Sequence, residues 1–211
     1  MARYTGPVCR LCRRNGNKLF LKGERCYTPR CAIEKHRGAP GEQASMMMRR
    51  RITEYGTQLQ EKQKARQIYG VLERQFRNYI DKANRMSGVT GDRLLQLLER
   101  RLDNVVYRLG FGDSRAQARQ VVLHGHITVN GRKASIPSYQ IKAGDVIGWR
   151  EQSKKTEYFK IVSESLGKRP VPAWMTVDPG EITGTVATLP EPSDIDTTIN
   201  TRMIVEFYSR K

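Results

Sequence analysis

Between Arg93 and Arg150 the apolar period changes from that of a helix to that of a strand, and this window constrains the fold more than any other stretch. Leu94, Leu98, Leu102, Val105 and Leu109 recur every three or four residues, the spacing of one buried helical stripe, and Gly110 and Gly112 stop it. On that wheel Arg93, Arg100, Arg101 and Arg108 fall to one side of the stripe, so the expected helix has a positive flank. Asp113 or Ser114 can cap a second helix, because their side-chain oxygens accept the free N–H groups of a first turn. Its Ala118, Val121 and Val122 pack toward the first helix, while Arg115 and Arg119, four apart, share a face. After Gly125, Ile127-Thr128-Val129 alternates as a short strand. Asn130-Gly131 is the strongest short hairpin signal, with Arg132 and Lys133 at the turn.

This unit is basic, and so is the segment at the start of the chain. Of the 211 residues 38 are Lys or Arg and 21 are Asp or Glu, a net charge of +17. It is placed as +10 over residues 1–51, +2 over 52–92, +6 over 93–150 and −1 over 151–211. A field of that size attracts polyanions through counterion release and steering, which implies nucleic acid. Merely solvated faces are the alternative, but the charge is concentrated in two segments. No apolar run approaches the length of a membrane span, and the N-terminus lacks the apolar centre of a signal peptide; a cytoplasmic protein is expected.

The four cysteines all lie in the first segment, as Cys9-x2-Cys12 and, thirteen residues on, Cys26-x4-Cys31. A Cys-x2-Cys turn lets two thiolates meet one ion while backbone N–H groups support the sulfurs, and thirteen residues suffice to bring a second pair round. In a cytosolic chain such pairs point to a structural zinc, with disulfides, an iron–sulfur cluster or free thiols as alternatives. His36 could replace one thiol. Arg10, Arg13, Arg14, Lys18, Lys22, Arg25 and Arg30 lie among these cysteines, in a segment with too little apolar content to fold without the metal. Lys35 to Glu42 is a Pro/Gly-rich turn region, followed by Met46-Met47-Met48 and by Arg49-Arg50-Arg51, a good phosphate clamp.

Residues 55–66 are strong helix formers with few apolar positions. In the next helix Leu72, Phe76, Tyr79, Ile80 and Ala83 share one arc and leave Arg74, Arg77 and Arg85 largely opposite, a core helix with a basic back. Its two aromatics read as core rather than as base-stacking residues. In the weakly charged part, 151–211, Glu157 to Val162 reads as a short helix, while 174–177 and 184–188 read as strands. Ile204 to Ser209 alternates and reads as a terminal strand. The whole region is expected to pack on the rest of the chain or on protein partners.

No Gly-rich phosphate loop, Ser/His/Asp set or carboxylate pair is evident, so no enzyme is expected. His124-Gly125-His126 has no third ligand nearby in sequence and reads as a helix-to-strand turn touching phosphate.

The runs Arg101-Leu102-Asp103-Asn104-Val105-Val106-Tyr107-Arg108-Leu109-Gly110-Phe111, Ser114-Arg115-Ala116-Gln117-Ala118-Arg119, His124 to Gly131 and Pro137-Ser138-Tyr139 resemble the bacterial small-subunit ribosomal protein 4 family. Further matching stretches are Gln60 to Arg66, Tyr69 to Val71, Arg74 to Arg77 and Ile204 to Arg210, and the cysteines match its zinc-bearing, four-cysteine form. The central module resembles the α-L-type RNA-binding domain, also found in some pseudouridine synthases, tyrosyl-tRNA synthetases and a heat-shock RNA-binding protein.

The expectation is therefore an α+β chain. A basic zinc-binding arm spans 1–51, the first part of a helical RNA-binding domain 52–92, the α-L-type module 93–150, and a C-terminal part packing back on the helical domain 151–211. The resemblance implies a structural component of the small ribosomal subunit in the cytoplasm. It would be a primary binder of small-subunit ribosomal RNA, nucleating assembly of the subunit body, with ribosomal proteins 5 and 3 as neighbours, the messenger RNA path nearby and a contribution to translational accuracy. RNA contacts are expected at Arg49, Arg50, Arg51, Lys62, Lys64, Arg66, Arg74, Arg77, Arg101, Arg108, Arg115, Arg119, His124, Arg132 and Lys133, and one structural zinc at Cys9, Cys12, Cys26 and Cys31. A stand-alone RNA chaperone and an RNA-modifying enzyme are the competing classes; neither explains the cysteine arm and the C-terminal match together.

Overall fold

The computed structural model describes residues 4–36, 38–41, 53–167, 170–195 and 198–210. Two compact units emerge, Met1–Arg93 with Thr197–Lys211, and Leu94–Asp196. The boundary falls within helix Thr90–Glu99.

In the first unit, α1 (Cys9–Asn15) is tied to α2 (Glu54–Tyr69) by Asn15, whose amide donates to Gln67 Oε1 at 2.7 Å. Thr53 caps α2 by accepting from the Gly56 N–H. In α3 (Glu73–Asn84), Phe76, Tyr79, Ile80 and Ala83 are buried and Arg74 and Arg77 exposed, as the apolar arc predicts, whereas Leu72, expected in the same arc, precedes the helix as its N-cap and is exposed. The residues read as a terminal strand form instead a helix, Thr201–Ser209, capped by Asn200, whose side chain accepts from the Met203 N–H. The pairs Met203-Ile204 and Phe207-Tyr208 stand four apart, a helical stripe that inspection by alternate residues hides. This helix packs along α2: Tyr55 and Phe207 lie 5.5 Å apart, and Gln58 donates to Glu206.

The second unit begins at Leu94, within α4 (Thr90–Glu99), and continues with α5 (Leu102–Arg108). The leucine stripe predicts one continuous helix over this stretch. Instead the chain breaks at Arg101, which is extended and forms a β-bridge with Gln140; Leu102 N–H donates to Tyr139 O and Ile141 N–H to Arg100 O, both at 2.9 Å. The interruption is short enough to keep Leu98 and Leu102 in phase, so the stripe gives no sign of it.

Next come α6 (Arg115–Leu123), capped by Ser114, then β1 (Ile127–Val129), β2 (Arg132–Lys133), β3 (Val146–Trp149), α7 (Glu157–Ser165), β4 (Met175–Asp178) and β5 (Thr183–Val186). The strands form one antiparallel sheet in the order β2-β1-β3-β5-β4. Asn130 and Gly131 both have positive φ, 51° and 76°, the conformation a two-residue hairpin demands. Leu102, Val105, Val106 and Leu109 pack with Val121, Val122, Ile147 and Trp149 in the core. Leu109 lies so close to Gly184 that any side chain there would collide with it, which is why β5 carries glycine where it joins β3.

The stretch 151–211 is thus shared out. Its strands complete the sheet of the central module, and the described residues from Thr198 onward, helix Thr201–Ser209 among them, belong to the helical unit.

At the break before α5, buried charges add to these backbone bonds. Arg101 has no exposed surface; its Nε and Nη2 donate to Asp103 Oδ1 and Oδ2 at 3.0 and 2.7 Å, and Arg119 Nη1 donates to Oδ2 at 2.7 Å. Asn104 donates to Glu99 O and Oε2, Arg108 donates to both Glu99 oxygens, and Arg115 Nε donates to Asn104 Oδ1 at 2.7 Å. Asp103→Ala strands two guanidiniums and is expected to destabilise this unit by about 3–5 kcal/mol. Urea unfolding followed by Trp149 and Trp174 fluorescence measures it, and an unshifted midpoint would show that the charges are solvated.

A second cluster holds the helical unit. Burial raises the Glu73 carboxyl, but the Tyr208 hydroxyl at 2.6 Å, the Lys62 ammonium at 3.1 Å and Arg66 at 2.7 Å outweigh it and hold Glu73 below the usual carboxylate range. A carboxyl so lowered stabilises the fold above its unfolded value of about 4.3 and loses that contribution as pH falls through its folded value. Glu73→Gln is expected to flatten the acid limb of thermal stability for this unit. Melting curves from neutral into acid pH, followed by circular dichroism, should show the variant less stable near neutrality and the difference closing as pH falls.

Candidate nucleic-acid interface

Cations on rigid elements can grip phosphates only if internal carboxylates have not already taken them. Of the fifteen expected RNA contacts, Arg49, Arg50 and Arg51 lie outside the described residues. The remainder divide sharply.

Lys62 and Lys64 are buried, 6% and 4% exposed. Lys62 pairs with Glu73 and stands 4.6 Å from the centre of the Phe207 ring, while Lys64 donates to Thr198 O at 2.5 Å. Arg66 also pairs with Glu73. These side chains clamp helices together rather than reaching outward, and the reason is the return of Thr201–Ser209, which covers the face of α2 they occupy. Arg101 and Arg119 are likewise withdrawn, at 0% and 7% exposure, and Arg108 is drawn onto the buried Glu99. Arg115 is half-buried, held by Asn104, with its guanidinium 4.7 Å from the Tyr107 ring centre. The expected Arg115 and Arg119 face therefore serves the module's interior.

In the central module the tip of the sheet faces solvent. Arg132 and Lys133 are both exposed on β2, directly after the hairpin turn. Lys133 crosses Gly125, whose φ of 73° and missing side chain leave the path open; any Cβ there would run into the lysine stem. This sets Lys133 over the turn that bears His124, which is exposed, and His126, which is half-buried. Burial, and then the neighbouring His124, lower the basicity of His126, whose Nδ1 lies 2.9 Å from Ser153 Oγ. Lys142 is exposed in the same unit and escapes a sequence reading because it stands alone in a loop. In the helical unit Arg74 and Arg77 face solvent, joined by Lys82 and Arg85 on the same α3 region.

The arm presents a third surface. Cys12, Cys26 and Cys31 are buried and Cys9 half-buried, all four thiols free. They line one cavity of about 20 Å³ with Val8, Leu21 and Ile33. The Lys22 N–H points to Cys26 Sγ at 3.4 Å. Burial pushes the Cys12 thiol up, and Cys26, Cys9 and Cys31 push in the same direction. The donor set suits a tetrahedral soft-ligand ion, although among the described residues no group of three or more His, Cys, Asp or Glu side chains is arranged to hold one. Around the cavity Arg10, Arg14, Lys22, Arg25 and Arg30 are exposed, whereas Lys18 pairs with Glu34 and Arg13 donates to Gly38 O.

Comparison with known proteins places this geometry. The model of the Ribosomal protein S4/S9 N-terminal domain matches residues 3–99, and that of the S4 domain matches residues 100–147. The Small ribosomal subunit protein uS4 of Heliobacterium modesticaldum is 57% identical over 210 residues, with 100% of both chains covered. That of Pelotomaculum thermopropionicum is 56% identical, and the protein uS4A of Symbiobacterium thermophilum 58%, each over the same full span. With the whole length matched and both domain types in order, the chain belongs to the uS4 family of small ribosomal subunit proteins.

Proposed function

We propose that this chain is a structural, RNA-binding component of the small ribosomal subunit, not an enzyme, and that it holds folded ribosomal RNA by shape. The observation that carries the reading is the division of cations. Lys62, Lys64, Arg101 and Arg119 are engaged inside the protein, which makes the elements rigid. Arg74 and Arg77 on α3, Arg132 and Lys133 on β2, and the arm cations are left exposed. Fixed cations read the spacing of phosphates, and folded RNA is recognised chiefly by that spacing. Relatives are named for the small ribosomal subunit, which supports a cytoplasmic, ribosome-bound site. The finer reading is a primary binder that nucleates the subunit body, beside ribosomal proteins 5 and 3 and the messenger path, with an effect on accuracy.

The test is binding of the full chain to purified small-subunit ribosomal RNA over a range of salt. Replacing Arg132 and Lys133 by Gln should weaken binding and reduce the salt slope by roughly 0.7–0.9 per lost phosphate contact. An unchanged slope would take β2 out of the interface. In sedimentation of cell extract, the chain should travel with small subunits in stoichiometric amount and stay there at high salt; loss at moderate salt would overturn the structural role.

Zinc at Cys9, Cys12, Cys26 and Cys31 belongs to the same proposal. Four thiols around one small cavity support it, as does a segment with Leu19 almost alone as its large buried aliphatic residue. A bound zinc would supply the cross-link that such a thin core lacks. Metal analysis of the purified chain should give one zinc, and chelation should release all four thiols to a thiol reagent. Thiols that react fully before chelation would remove the metal from the reading.

A further inference from the structure

We infer that Phe20 and Tyr27 form a stacking platform for an unpaired nucleobase of the bound RNA, an inference that rests on the RNA-binding role proposed above. The two rings stack on each other, centroids 5.1 Å apart and planes 30° from parallel, yet they remain 37% and 68% exposed. In a segment with so little core, burying both rings would be the expected use of them. Instead the chain turns Phe20 outward at a φ of 51°, a left-handed conformation that bulky residues seldom adopt. Tyr27 closes the short 3-10 turn Gly23–Cys26 from the other side.

Between the rings in sequence stand Lys22 and Arg25, both exposed, with Glu24 the acidic side chain of that turn. Rings that offer a π face beside cations fit a nucleotide, with its base on the aromatic surface and its phosphate toward Lys22 or Arg25. A paired helix hides its base faces, so the occupant is a nucleotide from a loop, bulge or junction. Stacking is also tolerant of sequence, because every base has a π face, and it adds to the phosphate grip a contact that salt does not screen.

The experiment uses the full chain and purified small-subunit ribosomal RNA. Tyr27→Leu keeps an apolar side chain but removes the ring; it should weaken binding roughly 5- to 150-fold with the salt slope unchanged. Tyr27→Trp should keep the parent affinity, and its added emission should be quenched on RNA binding, since Trp149 and Trp174 are both buried. This second readout stands even if the leucine variant misfolds. A leucine variant that binds as tightly as the parent overturns the platform and leaves the rings to a protein neighbour. So does a Tyr27→Trp chain that binds RNA with its added emission unquenched. Failure of the parent chain to bind small-subunit RNA overturns the RNA reading itself, and this inference with it.

Discussion

A guanidinium with no exposed surface has lost its water, and Arg101 is such a group. Its fork on Asp103, shared with Arg119, replaces that hydration with two carboxylate oxygens in fixed positions. The pair sits where α4 ends and α5 begins, so it fixes the angle at which the leucine stripe turns toward the sheet. Through Arg119 it also fixes α6, and through the Arg101–Gln140 bridge it fixes the loop that leads to β3. The neighbouring set of Glu99, Asn104, Arg108 and Arg115 repeats the arrangement on the other side of the break. A core of leucine and valine supplies the cohesion, but non-directional contacts alone would leave the direction of the turn undecided.

The same pairing of charge governs function. A basic chain that binds RNA must keep its own cations from repelling one another, and pairing some of them with internal carboxylates does this while stiffening the scaffold. Glu73 takes Lys62 and Arg66, Asp103 takes Arg101 and Arg119, and Glu99 takes Arg108. The surplus stays at the hairpin tip, on the back of α3 and around the cysteine cavity. The hairpin and α3 are packed secondary structure, so little ordering remains to be done there when RNA binds.

The division between inner and outer cations is only partly legible in the sequence. Around Phe76, Tyr79 and Ile80 the helical period separates core from surface, so Arg74 and Arg77 are placed outside by the pattern alone. Asn130-Gly131 admits few conformations and specifies the hairpin, and with it Arg132 and Lys133. Lys62 and Lys64 mislead because α2 has few apolar positions; nothing local to that helix announces that a segment more than 130 residues later will cover it. Arg119 misleads for a related reason, since its partner Asp103 lies on a different helix.

Sequence alone determined the elements whose signals are local: the amphipathic helices, the hairpin, the clustering of four cysteines, and the net charge that calls for a polyanion. Tertiary structure decided the rest. It broke the long helix at Arg101 by offering its backbone a strand partner, and it joined β4 and β5 to the central sheet. It also turned Ile204 to Ser209 into a helix against α2. Each of these outcomes depends on a partner distant in sequence, and whether a charge faces water or a carboxylate is settled only when that partner arrives.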